Sequence, residues 1–137
     1  MTWKIKEIDL SNNAIGSASE VQVGDAVVLG YRADRITVEV SNVSAASGDN
    51  LASFVLEAQT HPGAPWIEYL GGTNGLAWNA ASVMHYVNPV PDTLAKGSTS
   101  YLHIFMGLVY ALRFKAKADT GKTVKLKILG TAYMQGK

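Results

Sequence analysis

The chain has 137 residues, of which 47% are hydrophobic and 17% charged, and its formal net charge is +1. This length fits one domain, residues 1–137, that can bury a core without disulfides or a structural metal. The complete lack of cysteine excludes disulfides, thiolate metal ligands and cysteine nucleophiles.

The first quarter of the chain predicts short strands with turns between them. Residues 3–8 alternate apolar and charged side chains, as a half-buried strand does. Residues 11–13, Ser-Asn-Asn, predict a turn. Residues 21–23 and 26–29 predict a strand, or a bent pair of strands, around a Gly-Asp step.

Three further strands are predicted in the middle of the chain. Residues 35–41 alternate most clearly, with Ile36, Val38 and Val40 on one face. Residues 54–59 form the next strand, with Phe54, Leu56 and Ala58 inward. Residues 61–65 contain a proline-glycine turn, and residues 66–70 return from it as a short strand.

Residues 71–82 are rich in glycine, asparagine and alanine and predict a loop. Residues 83–87 are a candidate strand that the following prolines would end. The nearly uncharged stretch 70–91 is too interrupted for a membrane helix of about 20 apolar residues. Because the N-terminus also lacks the apolar region of a secretory signal, we expect a soluble protein that folds in the cytoplasm and does not enter a membrane.

The last third predicts a strong apolar strand at residues 101–106 and then a hairpin. Residues 109–118 and 122–129 both alternate, and Asp-Thr-Gly at 119–121 connects them. Strands at intervals of roughly 10 residues with no helical stripe predict an all-β, antiparallel domain, a sandwich or a barrel.

Charge is distributed unevenly along the chain. Residues 1–112 carry 5 basic and 10 acidic side chains, a net charge of −5, whereas residues 113–137 carry 7 basic and 1 acidic, a net charge of +6. The predicted hairpin places five basic side chains on one outer face, Arg113, Lys115, Lys117, Lys125 and Lys127. This face fits solvation and edge protection or an acidic protein partner. Nucleic acid is disfavoured because no aromatic platform accompanies the charges.

No catalytic motif is found in the sequence. HExxH, paired-cysteine, EF-hand, G-x-S-x-G and P-loop patterns are all absent, and the three histidines have no metal-type ligand at a useful spacing. His103 is expected in or near the core, hydrogen bonded there. Glu39, Glu57 and Glu68 lie on separate strands and are expected to be exposed charges, not a glycosidase pair. We therefore expect no enzyme activity, no metal and no cofactor.

Three aromatic residues, Trp66, Tyr69 and Trp78, could form a platform for sugar rings. The competing interpretation is that they close one end of a sandwich core, where large aromatic side chains usually lie.

One pattern resembles a known class of proteins. It comprises the strand 54–60, a proline-glycine turn, the tryptophan-bearing return strand 66–72, and much later the strand 110–116 followed by a glycine turn and a final alternating strand. This pattern resembles small β-sandwich proteins encoded among the structural genes of tailed bacteriophages. Some of these are capsid decoration, or cement, proteins with jelly-roll-like folds.

The resemblance implies a jelly-roll-like β-sandwich that acts as a virion structural protein. Such a protein is made in the host cytoplasm, forms a homo-oligomer, a trimer or a dimer, and binds the lattice of the major capsid protein to stabilise the phage head. The five basic residues would then be candidates for partner binding. Two other functions stay open: a phage tail or baseplate component on the same fold, and a carbohydrate-binding module.

Overall fold

The computed structural model describes residues 3–30, 33–44, 49–71, 85–86, 94–105 and 110–135. Within these ranges the chain is all-β and forms two five-stranded antiparallel sheets. The described residues include no helix that is long and apolar enough to cross a membrane.

The ten strands are short except for the first, the fourth and the last. Their bounds are β1 Trp3–Ile15, β2 Val21–Gln22, β3 Val27–Val28, β4 Ala33–Asn42, β5 Leu51–Gln59, β6 Ile67–Gly71, β7 His85–Tyr86, β8 Thr99–Phe105, β9 Ala111–Ala118 and β10 Val124–Gln135.

The strand order is that of a jelly roll. Sheet A has the order β1-β10-β4-β8-β7, and sheet B has the order β2-β9-β5-β6, with β3 also paired to β9. Six of the nine connections between successive strands of the described chain lead from one sheet to the other, so most strands adjacent in sequence lie in opposite sheets. The first and last strands are neighbours, with Trp3 opposite Gln135. This arrangement corresponds to the double-sheet jelly roll, which is built from two Greek keys.

The buried apolar side chains of the described residues form one cluster between the sheets. Each main strand contributes alternate side chains, and Phe54 and Phe114 meet at its centre with ring centroids 5.8 Å apart. That separation is within the range in which aromatic pairs attract each other beyond their buried area. The inward positions are completely buried, including Ile36, Val38 and Val40. Burying each such side chain stabilises the fold by about 1.5–3 kcal/mol.

The predicted β-sandwich is therefore confirmed, and so are most of its strands and inward faces. Two local predictions are wrong. Residues 11–13 do not form a turn but continue β1, where the pairing with β10 shifts between Asn12 and Ile15. Residues 109–129 do not form a hairpin, because β9 pairs with β5 in sheet B whereas β10 lies between β1 and β4 in sheet A. Of the predicted loop 71–82, Gly71 ends β6 and residues 72–82 lie outside the described residues; of the candidate strand 83–87, His85 and Tyr86 form β7.

Asn42 is the only asparagine side chain among the buried polar residues of the described chain, and it connects four segments. Its amide group donates to the carbonyl oxygens of Asp49 (2.8 Å) and Leu94 (2.9 Å), and its own oxygen accepts from the backbone and hydroxyl of Ser44. The Ser44 hydroxyl in turn accepts from the backbone N–H of Lys125 at 3.0 Å. The end of β4, the crossing to β5, the approach to β8 and the start of β10 are thus joined through one side chain.

We expect Asn42→Ala to lower the free energy of unfolding by about 3 kcal/mol, because it leaves buried carbonyl and amide groups without partners. Denaturant titration measures this change. The neighbouring Ser41→Ala is the matched control, since the Ser41 hydroxyl bonds only to that of Thr99 on the outer face. If the two variants were equally stable, the hydrogen bonds of Asn42 would contribute no more to the free energy of unfolding than the surface bond of Ser41.

Gly130 allows β10 and β4 to approach closely. A Cβ atom added there would overlap the carbonyl oxygen of Thr37 and lie 2.7 Å from the Cα atom of Val38. Both obstacles are backbone atoms of the paired strand, so a side chain could fit only if the strands moved apart.

Gly130→Ala should therefore destabilise the protein by about 2–3 kcal/mol through overpacking. Gly16→Ala provides the control, because a Cβ at Gly16 meets nothing within 4 Å. Thermal unfolding of both variants gives the comparison. A Gly130 variant as stable as the Gly16 variant would contradict the close approach of the two strands.

Candidate binding face

The outer side of sheet A is the candidate functional site, and we call it the A face. It consists of the outward side chains of β1, β10, β4 and β8, which alternate with the core residues of the same strands. The register arranges them in rows across the sheet. Each row is given in the strand order β1, β10, β4, β8. The first row holds Ile5, Tyr133 and Arg35, the second Glu7, Thr131, Thr37 and His103, and the third Asp9, Leu129, Glu39 and Tyr101. The fourth row holds Ser11, Lys127, Ser41 and Thr99, and the fifth holds Lys125 of β10 and Val43, which follows β4.

A shallow groove of about 280 Å³ crosses the middle of the A face. Tyr101 and Glu39 form one side of it, and Leu129 and Thr131 the other. Its floor is the backbone around Val38 and Gly130. Because Gly130 has no side chain, β4 and β10 can pair closely directly beneath the groove.

Tyr101 and Glu39 interact across two neighbouring strands of the groove. A hydrogen bond to the Glu39 carboxylate, together with the negative charge of that carboxylate, raises the pKa of Tyr101. The Tyr101 hydroxyl therefore stays a donor, and the residue is 47% exposed beside an anionic group. The pair presents an apolar ring and two polar groups at one point of the surface.

Other cross-strand pairs fix the polar side chains around the groove. The Thr37 hydroxyl and His103 Nδ1 share a hydrogen bond of 3.0 Å, and the Ser41 and Thr99 hydroxyls share one of 2.9 Å. The Arg35 guanidinium lies 5.0 Å from the centroid of the Tyr133 ring, in cation–π contact. His103 is thus hydrogen bonded as predicted, but on the outer face and not in the core.

Apolar side chains are also exposed on this face. Ile5 is 65% exposed, Val43 52% and Leu129 36%. They lie in the first, fifth and third rows, so they add apolar contact area at separate points of the face. The A face therefore combines contact area, fixed polar groups and charge.

The five predicted partner-binding residues do not form one surface. Arg113, Lys115 and Lys117 lie on β9 and point outward from sheet B, whereas Lys125 and Lys127 lie on β10 and point outward from sheet A. The two groups are on opposite sides of the sandwich. The prediction failed because it assumed a hairpin. Since β9 and β10 belong to different sheets, their outward side chains point to opposite sides of the sandwich.

The sheet B group is already engaged within the chain. The Nε atom of Arg113 donates to Glu57 at 2.6 Å, and the Lys115 ammonium lies 4.0 Å from the same carboxylate. The Arg113 guanidinium also lies 4.5 Å from the centroid of the Trp66 ring. The side chains of Arg113 and Lys115 are only 23% and 25% exposed, so this part of the predicted basic surface is largely covered, and one carboxylate offsets part of its charge.

The predicted sugar platform is only partly described. Trp66 is half-buried against Arg113 on the outer side of sheet B, so it does not close the sandwich core. Tyr69 lies in β6, at the point where its pairing with β5 shifts by one residue, but its side chain is outside the description. Trp78 lies outside the described residues.

The described residues bring no catalytic or metal-binding constellation together. Glu39 belongs to sheet A, whereas Glu57 and Glu68 are paired neighbours in sheet B, so Glu39 is separated from both by the sandwich core. Among the described residues no group of three or more histidine, aspartate or glutamate side chains could hold a metal ion.

No local sequence pattern indicates the groove. Tyr101 and Glu39 are 62 positions apart, and only the register of β4 with β8 brings them together. The alternation of residues 35–41 did place Glu39 on the outward face, so half of the pair was recognisable from sequence.

Comparison with known proteins finds a similarity of structure. No protein-family model matches the sequence, and no curated protein matches it. Among solved structures the chain is similar to the crystal structure of the SPBc2 prophage-derived protein YomS, with a TM-score of 0.48 and 14% sequence identity over 95% of this chain and 96% of that chain. A similarity of this size assigns neither a family nor a role.

Replacing Glu39 with glutamine should lower the pKa of Tyr101 toward the ordinary value of tyrosine, because it removes the charge that stabilises the neutral phenol. The Tyr101 ring signals in an NMR titration through the alkaline range measure this pKa, and Tyr101→Phe assigns them. Glu7→Gln removes a carboxylate from the same face and should leave the pKa unchanged. A Tyr101 pKa that does not respond to Glu39→Gln would contradict the pair.

Proposed function

We propose that this protein is a non-enzymatic virion structural protein of a tailed bacteriophage, made in the host cytoplasm, which decorates the head by binding the lattice of the major capsid protein. The observation that carries the proposal is the A face. It is a broad sheet surface with exposed apolar side chains, an aromatic–carboxylate pair and free charges, and it suits binding better than catalysis.

The jelly-roll topology is compatible with this role. Viral capsid proteins and lectins both use double-sheet jelly rolls, although a fold by itself does not determine a function. The strand-and-turn pattern of residues 54–72 and 110–116, which resembles capsid decoration proteins, favours the first of these classes.

A decoration protein needs one surface for itself and one for the shell. The two outer faces of this sandwich differ in a way that meets this need. The A face is exposed and carries unpaired charge, whereas the described part of the outer side of sheet B holds the Arg113–Glu57–Lys115 cluster under Trp66.

A carbohydrate-binding module is the second candidate, and the groove of the A face is the observation that favours it. The exposed Tyr101 ring could stack on a sugar, while Glu39, Thr37 and Thr131 could accept or donate hydrogen bonds to its hydroxyl groups.

The test is to purify virions produced from the genome that encodes this chain and to measure its copies per particle by quantitative mass spectrometry. We expect a copy number that scales with the number of capsid proteins, and loss of the protein from tail-only preparations. Deletion of its gene should leave heads that release DNA at lower temperature.

Three results would overturn the head assignment. Copies found only on purified tails would support the tail or baseplate alternative. Absence from virions, combined with glycan binding that Tyr101→Ala abolishes, would support the carbohydrate module. Absence from virions without glycan binding would reject both functions.

A further inference from the structure

We propose that the A face binds a second copy of this chain, in a two-fold dimer whose axis lies in the interface and runs across the strands, between the rows of Leu129 and Lys127. This inference rests on the proposed assembly function and specifies one of its two contact surfaces.

In the second to fifth rows of the A face, acidic and basic side chains occupy opposite halves, and Arg35 of the first row lies beyond them over the Tyr133 ring. The acidic half contains Glu7 in the second row and both Asp9 and Glu39 in the third, where they flank Leu129. The basic half contains Lys127 in the fourth row and Lys125 in the fifth, both on the same strand as Leu129. The pattern therefore reverses along β10, from acidic surroundings to basic side chains.

These charges are available for a partner. All five side chains are exposed, and within the described part of the chain none of them takes part in an ion pair. The ion pairs of the described residues lie instead on sheet B, around Glu57. Glu39 holds a hydrogen bond from Tyr101, which leaves its negative charge in place.

A two-fold interface brings the same patch of both subunits together, so the patch must complement itself. For two sheets packed face to face, the axis must lie in the plane of the interface. An axis parallel to β10 would place Lys127 opposite Lys127 of the other copy, and like charges would repel. An axis across the strands reverses the order of the rows in the second copy. Each Lys127 then lies above Leu129 of the other copy, between Asp9 and Glu39 of that same copy.

The dimensions of a sheet agree with this pairing. Neighbouring strands are about 4.8 Å apart, and residues on one face of a strand repeat about every 6.7 Å, so Asp9 and Glu39 each lie one strand away from the point above Leu129. The same rotation places Lys125 one strand from Glu7, and it places Val43 above Thr37. Sheets pack about 10 Å apart with their side chains interdigitated, which lets a lysine reach a facing carboxylate.

The contact is small, and its area predicts a weak dimer. Four strands and four rows cover roughly 19 by 27 Å, or about 500 Å² per copy. Stable complexes usually bury about 800 Å² per partner. We therefore expect a dimer with a dissociation constant in the range of tens of micromolar, weakened by salt because its charges lie at a solvated surface.

Sedimentation velocity of the full chain from about 1 to 500 μM protein, at low and high salt, measures the dimer. Lys127→Glu and Asp9→Lys should each raise the dissociation constant about tenfold or more, since each places like charges together. The double variant, and a mixture of the two single variants, should recover much of the loss because the charges are exchanged. Lys117→Glu makes the same charge change on sheet B and should leave the dimer unchanged.

The inference is overturned if the protein stays monomeric to 500 μM at low salt, if it forms a trimer, or if its dimer is insensitive to Lys127→Glu and Asp9→Lys. It is also overturned if the double variant and the mixture associate no better than the single variants. Circular dichroism checks that every variant is folded. None of these results bears on the presence of the protein in virions, so the proposed function fails or survives separately.

Discussion

The hydrogen-bond network of Asn42 is the interaction on which the ends of the sandwich depend. A jelly roll must carry its chain from one sheet to the other several times, and each crossing leaves backbone groups that no strand partner satisfies. Asn42 satisfies the carbonyl groups of Asp49 and Leu94, which belong to two different crossings, and it holds Ser44 in place to receive the start of β10. One buried amide therefore sets the relative positions of strands that are neighbours in space but remote in sequence.

The strands and their inward faces could be predicted from the sequence because alternation is a local property. The inward positions of β4, β5 and β9 follow directly from their period of two. Sheet membership could not be predicted in this way. The turn at residues 119–121 has the composition of a hairpin turn, yet it connects two sheets, since only the pairing of β10 with β1 and β4 decides where the last strand lies. Ser11, Asn12 and Asn13 have turn propensity, but Ser11 and Asn12 pair with β10, and Asn13 lies in the irregularity that follows within β1.

Because sheet membership does not follow from local alternation, the predicted basic surface is divided between two faces. The charge excess of residues 113–137 is real, but the crossing divides it between two faces with different surroundings. On sheet B the carboxylate of Glu57, contributed by a strand more than 50 residues earlier, pairs with the arginine and lies near a lysine. On sheet A the lysines stay free, and the acidic residues brought beside them come from β1 and β4. Net charge along a sequence thus indicates little about the charge of a surface until the strand order is known.

The central place of β10 in sheet A has a consequence for how the protein is made. During synthesis β1 and β4 leave the ribosome long before β10, and they have no direct pairing with each other. Sheet A therefore cannot close until the chain has been released through residue 135, and until then the facing edges of β1 and β4 are open. The sandwich should consequently form only after β10 has left the ribosome, in one late step in which β10 is inserted between β1 and β4.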